Sequence, residues 1–270
     1  MKKIIDIIVE NDGYLINKAD EEGAYVRVIP QGIQRIPCIP FYHSAWISMG
    51  SVIRPAIQDF VEKATVLHGP IAKCQAMIAT PADALPADVT MIRETFEVAG
   101  IKKIKLISKT SLGAAMNMSD YVAVSASERL LIVEWYRDGV VAEGKYYNKA
   151  AISKKKLLSD INGFRQRYEV PLKIIIFDGC NELSGLYDLG EVVDARKMMT
   201  LLEVMNEVYF KGKSFQELFA NEEGQDAWEP DEIFRNEQGE MVFGEEELQN
   251  ENATDATEQT PDVDDYSEEE

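Results

Sequence analysis

Apolar residues recur along the first 210 positions with two periods, and the switches between them predict an order of elements. Lys3–Glu10 is rich in Ile and Val and reads as a strand, and Asn11-Asp12-Gly13 is a tight-turn signal before a second strand at Tyr14–Asn17. Glu21-Glu22-Gly23 turns the chain into a third strand over Ala24–Pro30. Residues 31–50 hold Pro37 and Pro40 and predict a short exposed excursion. Ser51–Leu67 has helical spacing, with Pro55 suited to a first turn. A fourth strand follows at Ala72–Thr80, a turn at Pro81–Pro86 and a helix over Ala87–Ala99 that Gly100 ends. Lys103–Ile107 is the fifth strand, and Thr110–Asn117 starts a helix with small residues at Gly113, Ala114 and Ala115.

The pattern then restarts. Tyr121–Ser125, Leu130–Arg137 and Val140–Tyr147 predict a second meander, with Asp138-Gly139 as a hairpin turn. A helix is expected from Ile152 to Arg167, a strand at Leu172–Phe177, a glycine-containing loop at Asp178–Asp188 and a helix over Val192–Tyr209. The order β-β-β-α-β-α therefore occurs twice. Expected boundaries are 1–118 for the first half, 119–218 for the second and 219–270 for a tail. Within that tail, 228–243 is an apolar docking segment.

Charge sharpens this division. The formal net charge is -19, yet residues 221–270 alone hold 20 Asp and Glu against Arg235. The preceding part is neutral. Residues 244–270 are almost free of large apolar side chains and are expected to be disordered. So anionic a tail disfavours direct nucleic-acid or anionic-membrane binding and suits a basic partner. No apolar run reaches the roughly 18 residues that span a bilayer, and Asp6 interrupts the apolar start, so neither membrane insertion nor a signal peptide is expected. Cys38, Cys74 and Cys180 are widely spaced, which suits a reducing cytoplasm better than a zinc site.

Two successive units of this kind resemble the actin-like superfamily, which includes actin, sugar kinases, the chaperone ATPase domain and the bacterial rod-shape actins. The likeness is carried by Ile78-Ala79-Thr80-Pro81, Arg93, Ala99-Gly100, Lys105–Ile107 and Gly113-Ala114-Ala115. It implies an α/β fold of two ribonuclease-H-like subdomains with a nucleotide cleft between them. It also implies ATP and Mg as cofactors, provided the loops keep the required residues.

They depart from that pattern. The first phosphate loop of the family carries Asp and Gly; here Ile7-Ile8-Val9 follows Asp6, and the nearest glycine is in Asp12-Gly13. Ser108-Lys109-Thr110 stands where the family's hinge carries a carboxylate. The second phosphate loop reads Val124-Ser125-Ala126-Ser127-Glu128-Arg129, with neither Asp nor Gly. The adenosine loop survives in part as Gly179 with Ser184-Gly185. Glycine matters here because only a bare backbone lets amides crowd a phosphate. A residual pocket would use Asp6, Asp12, Gly13, Gly179, Ser184 and Gly185, with no catalytic or metal residue and no cofactor.

The resulting expectation is a degenerate actin-like scaffold or assembly partner in the cytoplasm that does not hydrolyse ATP. It would engage a protein partner, such as a membrane-associated assembly component, through Trp228, Ile233, Phe234, Val242 and Phe243, with self-association allowed. The alternative is an active ATPase with atypical phosphate loops, using ATP and Mg. His43 and His68 show no evident Asp or Ser partner and read as boundary residues. Cys180 reads as a small buried residue, and Lys154-Lys155-Lys156 as an exposed helix face. The Met198, Met199, Leu201, Leu202, Met205 stripe reads as core.

Overall fold

Five strands of each half make one mixed sheet, and the two sheets share one topology. In the computed structural model, the first contains β1 (Ile4–Val9), β2 (Tyr14–Asn17), β3 (Tyr25–Val28), β4 (Gln75–Thr80) and β5 (Lys103–Ser108), in the order β3-β2-β1-β4-β5. The second contains β6 (Tyr121–Ala126), β7 (Leu131–Arg137), β8 (Val140–Tyr147), β9 (Lys173–Asp178) and β10 (Glu191–Asp194), in the order β10-β9-β6-β7-β8. In both, a hairpin-linked antiparallel meander leads into parallel pairs, β1 with β4 and β6 with β9. The structure describes residues 4–18, 21–29, 33, 36, 39–47, 54–55, 74–149, 152–168 and 173–213. All but two residues of the expected 51–67 helix, His68, and the whole of 219–270 lie outside them.

Helix α1 (Phe41–Ile47) and α2 (Pro86–Val98) cover the outer face of the first sheet. Ile5, Ile7 and Val9 of β1 meet Phe41, Ile92 and Phe96 there, and Tyr14 makes edge contacts with both phenylalanines. Helix α3 (Lys154–Tyr168) covers the outer face of the second sheet through Leu157, Ile161 and Phe164. Between the sheets lie a 3-10 helix (Lys109–Met116) and α4 (Ala195–Lys211). Met198, Met199, Leu201, Leu202 and Met205 are all buried in this layer, as the helical stripe predicts.

Local chemistry explains most boundaries. Asp138 and Gly139 have positive φ (51° and 77°), which a two-residue hairpin of the mirror-image turn type requires. Gly100, at φ 111°, releases the chain from α2. Asp194 caps α4 by accepting the Lys197 N–H at 2.8 Å. Two elements differ from expectation. Residues 41–47, inside the predicted excursion, form α1, which begins directly after Pro40. Residues 191–194 pair in parallel with β9 as a strand, so the last helix starts at Ala195.

The architecture is therefore α/β, with two ribonuclease-H-like subdomains in the actin-like arrangement. Each half carries a fifth strand beyond its β-β-β-α-β-α repeat. No helix of the described residues is long and apolar enough to cross a membrane.

Candidate functional site

The C-terminal ends of β1, β4, β5, β6 and β9 gather at one end of the molecule, where loops from both halves meet. In open α/β sheets such strand ends, at points where the connections diverge, are where ligands bind. Glu10 follows β1, Pro81–Asp83 follows β4, Lys109 follows β5, Ser127 follows β6 and Gly179 follows β9. The strand alternation directs Asp6, Ile8 and Glu10 to the same face of the first sheet, the one beneath α4.

A buried cation joins the halves. The Lys109 ammonium is 2 % exposed. It donates to the Ala126 carbonyl at 2.9 Å and stands 3.6 Å from Glu10 Oε2. Glu10 leans across to the second half, where its other oxygen fills the space beside Gly179, and a Cβ at residue 179 would collide with it. The Cys180 thiol points to Glu10 Oε2 at 3.7 Å. Burial, with the Glu10 carboxylate as a second cause, pushes that thiol up to about 11. Cys180 is therefore half-buried and protonated rather than a reactive thiolate. Arg27, from β3, donates to Asp12 at 2.7 Å and to the Gly179 carbonyl at 3.0 Å. Asn11 reaches Glu182 at 2.6 Å, and Lys149 takes the other oxygen of that carboxylate.

A second set of contacts lies at the β6–β7 turn. Arg129 donates to Asp83 Oδ2 at 2.9 Å, to the Asp83 carbonyl at 2.7 Å and to Asp88 Oδ2 at 3.0 Å. Ser127 adds a 2.7 Å bond to Asp83. Burial works to raise Asp88, but the Leu85 N–H, His43 and Arg129 hold it below the usual carboxylate range. His43 Nε2 lies 2.6 Å from Asp88 Oδ1, so His43 does have a carboxylate partner, contrary to expectation. The fold brings together residues 45 positions apart, a pairing that sequence spacing cannot show. The turn's own amides point inward: Ser127 N–H bonds Leu130 O, while the N–H groups of Arg129 and Leu130 bond Ser127 Oγ. On the β1–β2 turn the Glu10 N–H bonds Gly13 O at 2.9 Å.

Behind Lys109 sits a carboxyl that the hinge segment does not itself contain. Glu134 of β7 is buried and accepts from Thr110 Oγ1 at 2.6 Å. Thr110 Oγ1 is also within hydrogen-bond distance of Ser108 Oγ and of Tyr136 OH. Burial pushes Glu134 up to about 7, against the lowering effect of the Thr110 and Tyr136 bonds. The expectation of a hinge without a carboxylate holds for residues 108–110 and fails for their surroundings. The signal was a lone charge in the apolar run 131–136, on the inward alternation.

The residues expected to form a pocket divide into four groups. Asp12 and Gly179 are brought together through Arg27. Gly13 packs its backbone against the Val28 carbonyl, where a Cβ would not fit, so its smallness serves the β2–β3 contact. Ser184 and Gly185 open an exposed 3-10 helix (Ser184–Leu189). Asp6 lies apart, in the middle of β1. It accepts from Asn17 Nδ2 at 3.2 Å and from the Asn206 side-chain amide of α4. Burial lifts it to about 7, with the Asn206 bond opposing. Trp228, Ile233, Phe234, Val242 and Phe243 lie outside the described residues. Among the described residues no group of three or more His, Cys, Asp and Glu side chains is placed to hold a metal ion.

Fold and site define a protein of actin-like architecture whose strand-end loops are joined by its own charged side chains. No protein-family model matches the chain, and no curated protein matches it. Solved structures do. The ethanolamine utilization protein EutJ of Carboxydothermus hydrogenoformans is 12% identical with TM-score 0.48, covering 74% of this chain and 88% of that one. A putative N-acetylglucosamine kinase of Porphyromonas gingivalis is 11% identical with TM-score 0.45, covering 76% and 100%. MreB 5 of Spiroplasma citri bound to AMPPNP is 8% identical with TM-score 0.43, covering 81% and 98%. At these levels the likeness is one of fold and carries no function.

Proposed function

We propose that this chain is a catalytically degenerate actin-like protein that acts as a scaffold or assembly partner through protein–protein contacts, without hydrolysing ATP. One arrangement supports the reading. The cations that could meet a triphosphate are already neutralised, Lys109 by Glu10 of its own half and Arg129 by Asp83 and Asp88 of the opposite half. Anion binding also needs backbone N–H groups aimed outward from the loops. Here those of Ser127, Arg129 and Leu130 are used inside their turn. The residues present do not fit a magnesium-bound triphosphate. The halves instead hold each other closed, which suits a rigid platform. The partner-binding segment is residues 228–243, the partner a protein such as a membrane-associated assembly component, and the compartment the cytoplasm.

A second reading, an atypical ATPase, is favoured by Glu134 alone, a buried carboxyl near neutrality beside Thr110. A thermal melt with ATP, ADP or neither, each with Mg, separates the two. A ligand that binds only the native state raises its melting temperature. No shift at millimolar nucleotide is expected. A shift together with phosphate release that Glu134→Gln abolishes would establish the ATPase.

A further inference from the structure

Strand β8 ends the second sheet, and among the described residues it pairs with β7 alone. An end strand offers its outer backbone N–H and C=O groups to a further strand. The side chains along β8 are ordered so that the strand complements itself. The register with β7 passes from Trp135 opposite Glu143 to Tyr136 opposite Val141, which leaves Ala142 as the extra residue of a bulge. The bulge turns Val141 onto the same face as Tyr146, which stands opposite Ile132. These two side chains are 45% and 53% exposed. Glu143 and Lys145, opposite Trp135 and Val133, lie on the other face, against α3. There Arg167 bonds Glu143 at 2.9 Å and Lys145 bonds Asp160 at 3.0 Å.

Gly144 stands between the two charges. Tyr146 folds back over it: a Cβ at residue 144 would lie 3.2 Å from the Tyr146 hydroxyl oxygen and 3.4 Å from the ring. A two-fold axis through Gly144, normal to the sheet, sets a second β8 antiparallel to the first. Positions then pair about residue 144, so Glu143 faces Lys145 of the second copy and Lys145 faces its Glu143. Opposite charges placed across from each other in this way attract. On the other face, Tyr146 of each copy meets Val141 and Tyr146 of the other. With no side chain at residue 144, both rings and both backbones have room at the axis. One operation thus brings acid to base and apolar to apolar, the self-complementarity that an isologous interface requires.

We propose that β8 is a homodimer interface, pairing antiparallel with β8 of a second copy about Gly144 and joining the two second-half sheets into one of ten strands. The proposal deepens the assembly-partner reading by naming a surface on which the chain associates, and it rests on that reading for the use made of the dimer.

Sedimentation equilibrium of the full chain tests it. Wild type should dimerise below about 100 µM. Glu143→Lys and Lys145→Glu each put like charges opposite one another twice in the dimer, so either alone should weaken it about ten-fold or more. An equimolar mixture of the two variants should regain the dimer, because each reversed charge then faces the other. Mixing cannot restore the in-chain bonds to Arg167 and Asp160, so the recovery reads the pairing of the strands and not a change within the fold. Val141→Lys, at an exposed position on the opposite face, should also give monomers while leaving the contacts to α3 in place. A wild type that stays monomeric at about 100 µM overturns the proposal. So does a dimer indifferent to all three substitutions, and so does a mixture no more dimeric than its components. None of these outcomes bears on the nucleotide melt, so the two readings fail separately.

Discussion

Glu10 occupies the space that a side chain at Gly179 would need, so a residue of the first half forces glycine on a residue of the second. The contact continues inward, because the same Cβ would lie 2.9 Å from the Met198 methyl of α4. Gly179→Ala must therefore move either a buried carboxylate or a core methionine. Overpacking of this kind costs about 1–3 kcal/mol. Urea melts should show that loss, and Glu10→Ala in the same chain should recover part of it by vacating the space. Equal losses in the single and double variants would mean that Glu10 is not what meets the new methyl group.

Lys109 is the only described cation facing Glu10 within ion-pair range, and both side chains are buried. Removing one member of a buried pair leaves the other charge uncompensated, at about 3–5 kcal/mol. Lys109→Met is expected near the lower end, because the pair is separated by 3.6 Å and the ammonium's closer bond is to the Ala126 carbonyl. Glu10→Gln added to Lys109→Met should restore stability by more than 1 kcal/mol. Additive losses in the double-mutant cycle would show that the two do not interact.

The fold was legible where one physical signal dominates. Ile5, Ile7 and Val9 alternate with Asp6 and Ile8 over a hairpin turn, and Gly100 and Asp138-Gly139 supply backbone conformations that few other residues adopt. Strand β10 was hidden because Val192 and Val193 continue the apolar spacing of α4; Asp194, as its cap, was the available marker. Helix α1 was hidden by Pro37 and Pro40, which precede it without entering it. The site was less legible, since its contacts are long-range. Asp6 attracted attention as a strand carboxylate, whereas Glu10, two pleats further on the same face, is the one that reaches Lys109 and Gly179. Arg129 looked like a missing glycine in a phosphate loop. Its role appears only once the chain brings Asp83 and Asp88 beside it.

Arg129 makes a latch that should be separable from the core. Its side chain is about a quarter exposed, so each bond is partly screened. Arg129→Ala is expected to cost about 1–2 kcal/mol, the loss arising mainly from Asp83, which stays buried. Arg129→Lys should recover little, since a point charge cannot reproduce three divergent bonds to Asp83 and Asp88. The readout that singles out a latch is protease cleavage under native conditions at the β6–β7 turn. Cleavage there should rise more than global stability falls, and cleavage that merely follows global stability would argue against it.

The pH dependence follows from two carboxyls that burial holds near neutrality. Asp6 is raised from 3.8 and Glu134 from 4.5, each to about 7. Between those limits the native state holds protons that the unfolded chain releases. Stability is therefore lost as pH rises through the folded values, by up to about 1.4 kcal/mol per pH unit for each group. Asp88 and Asp160 work the other way. Partners hold Asp88 low, and Lys145, Tyr147 and Lys156, outweighing the desolvation that would raise it, hold Asp160 down to about 2, so their contributions are lost only as pH falls below about 4. Stability should thus increase from pH 8 to pH 5 and fall again below pH 4. Asp6→Asn keeps a side chain that can bond Asn17 and Asn206 while removing the titration, so it should flatten the neutral slope by about half. A melting temperature that is level between pH 5 and pH 8 in wild type would place both carboxyls at ordinary values. A slope unchanged in Asp6→Asn would assign the effect to Glu134.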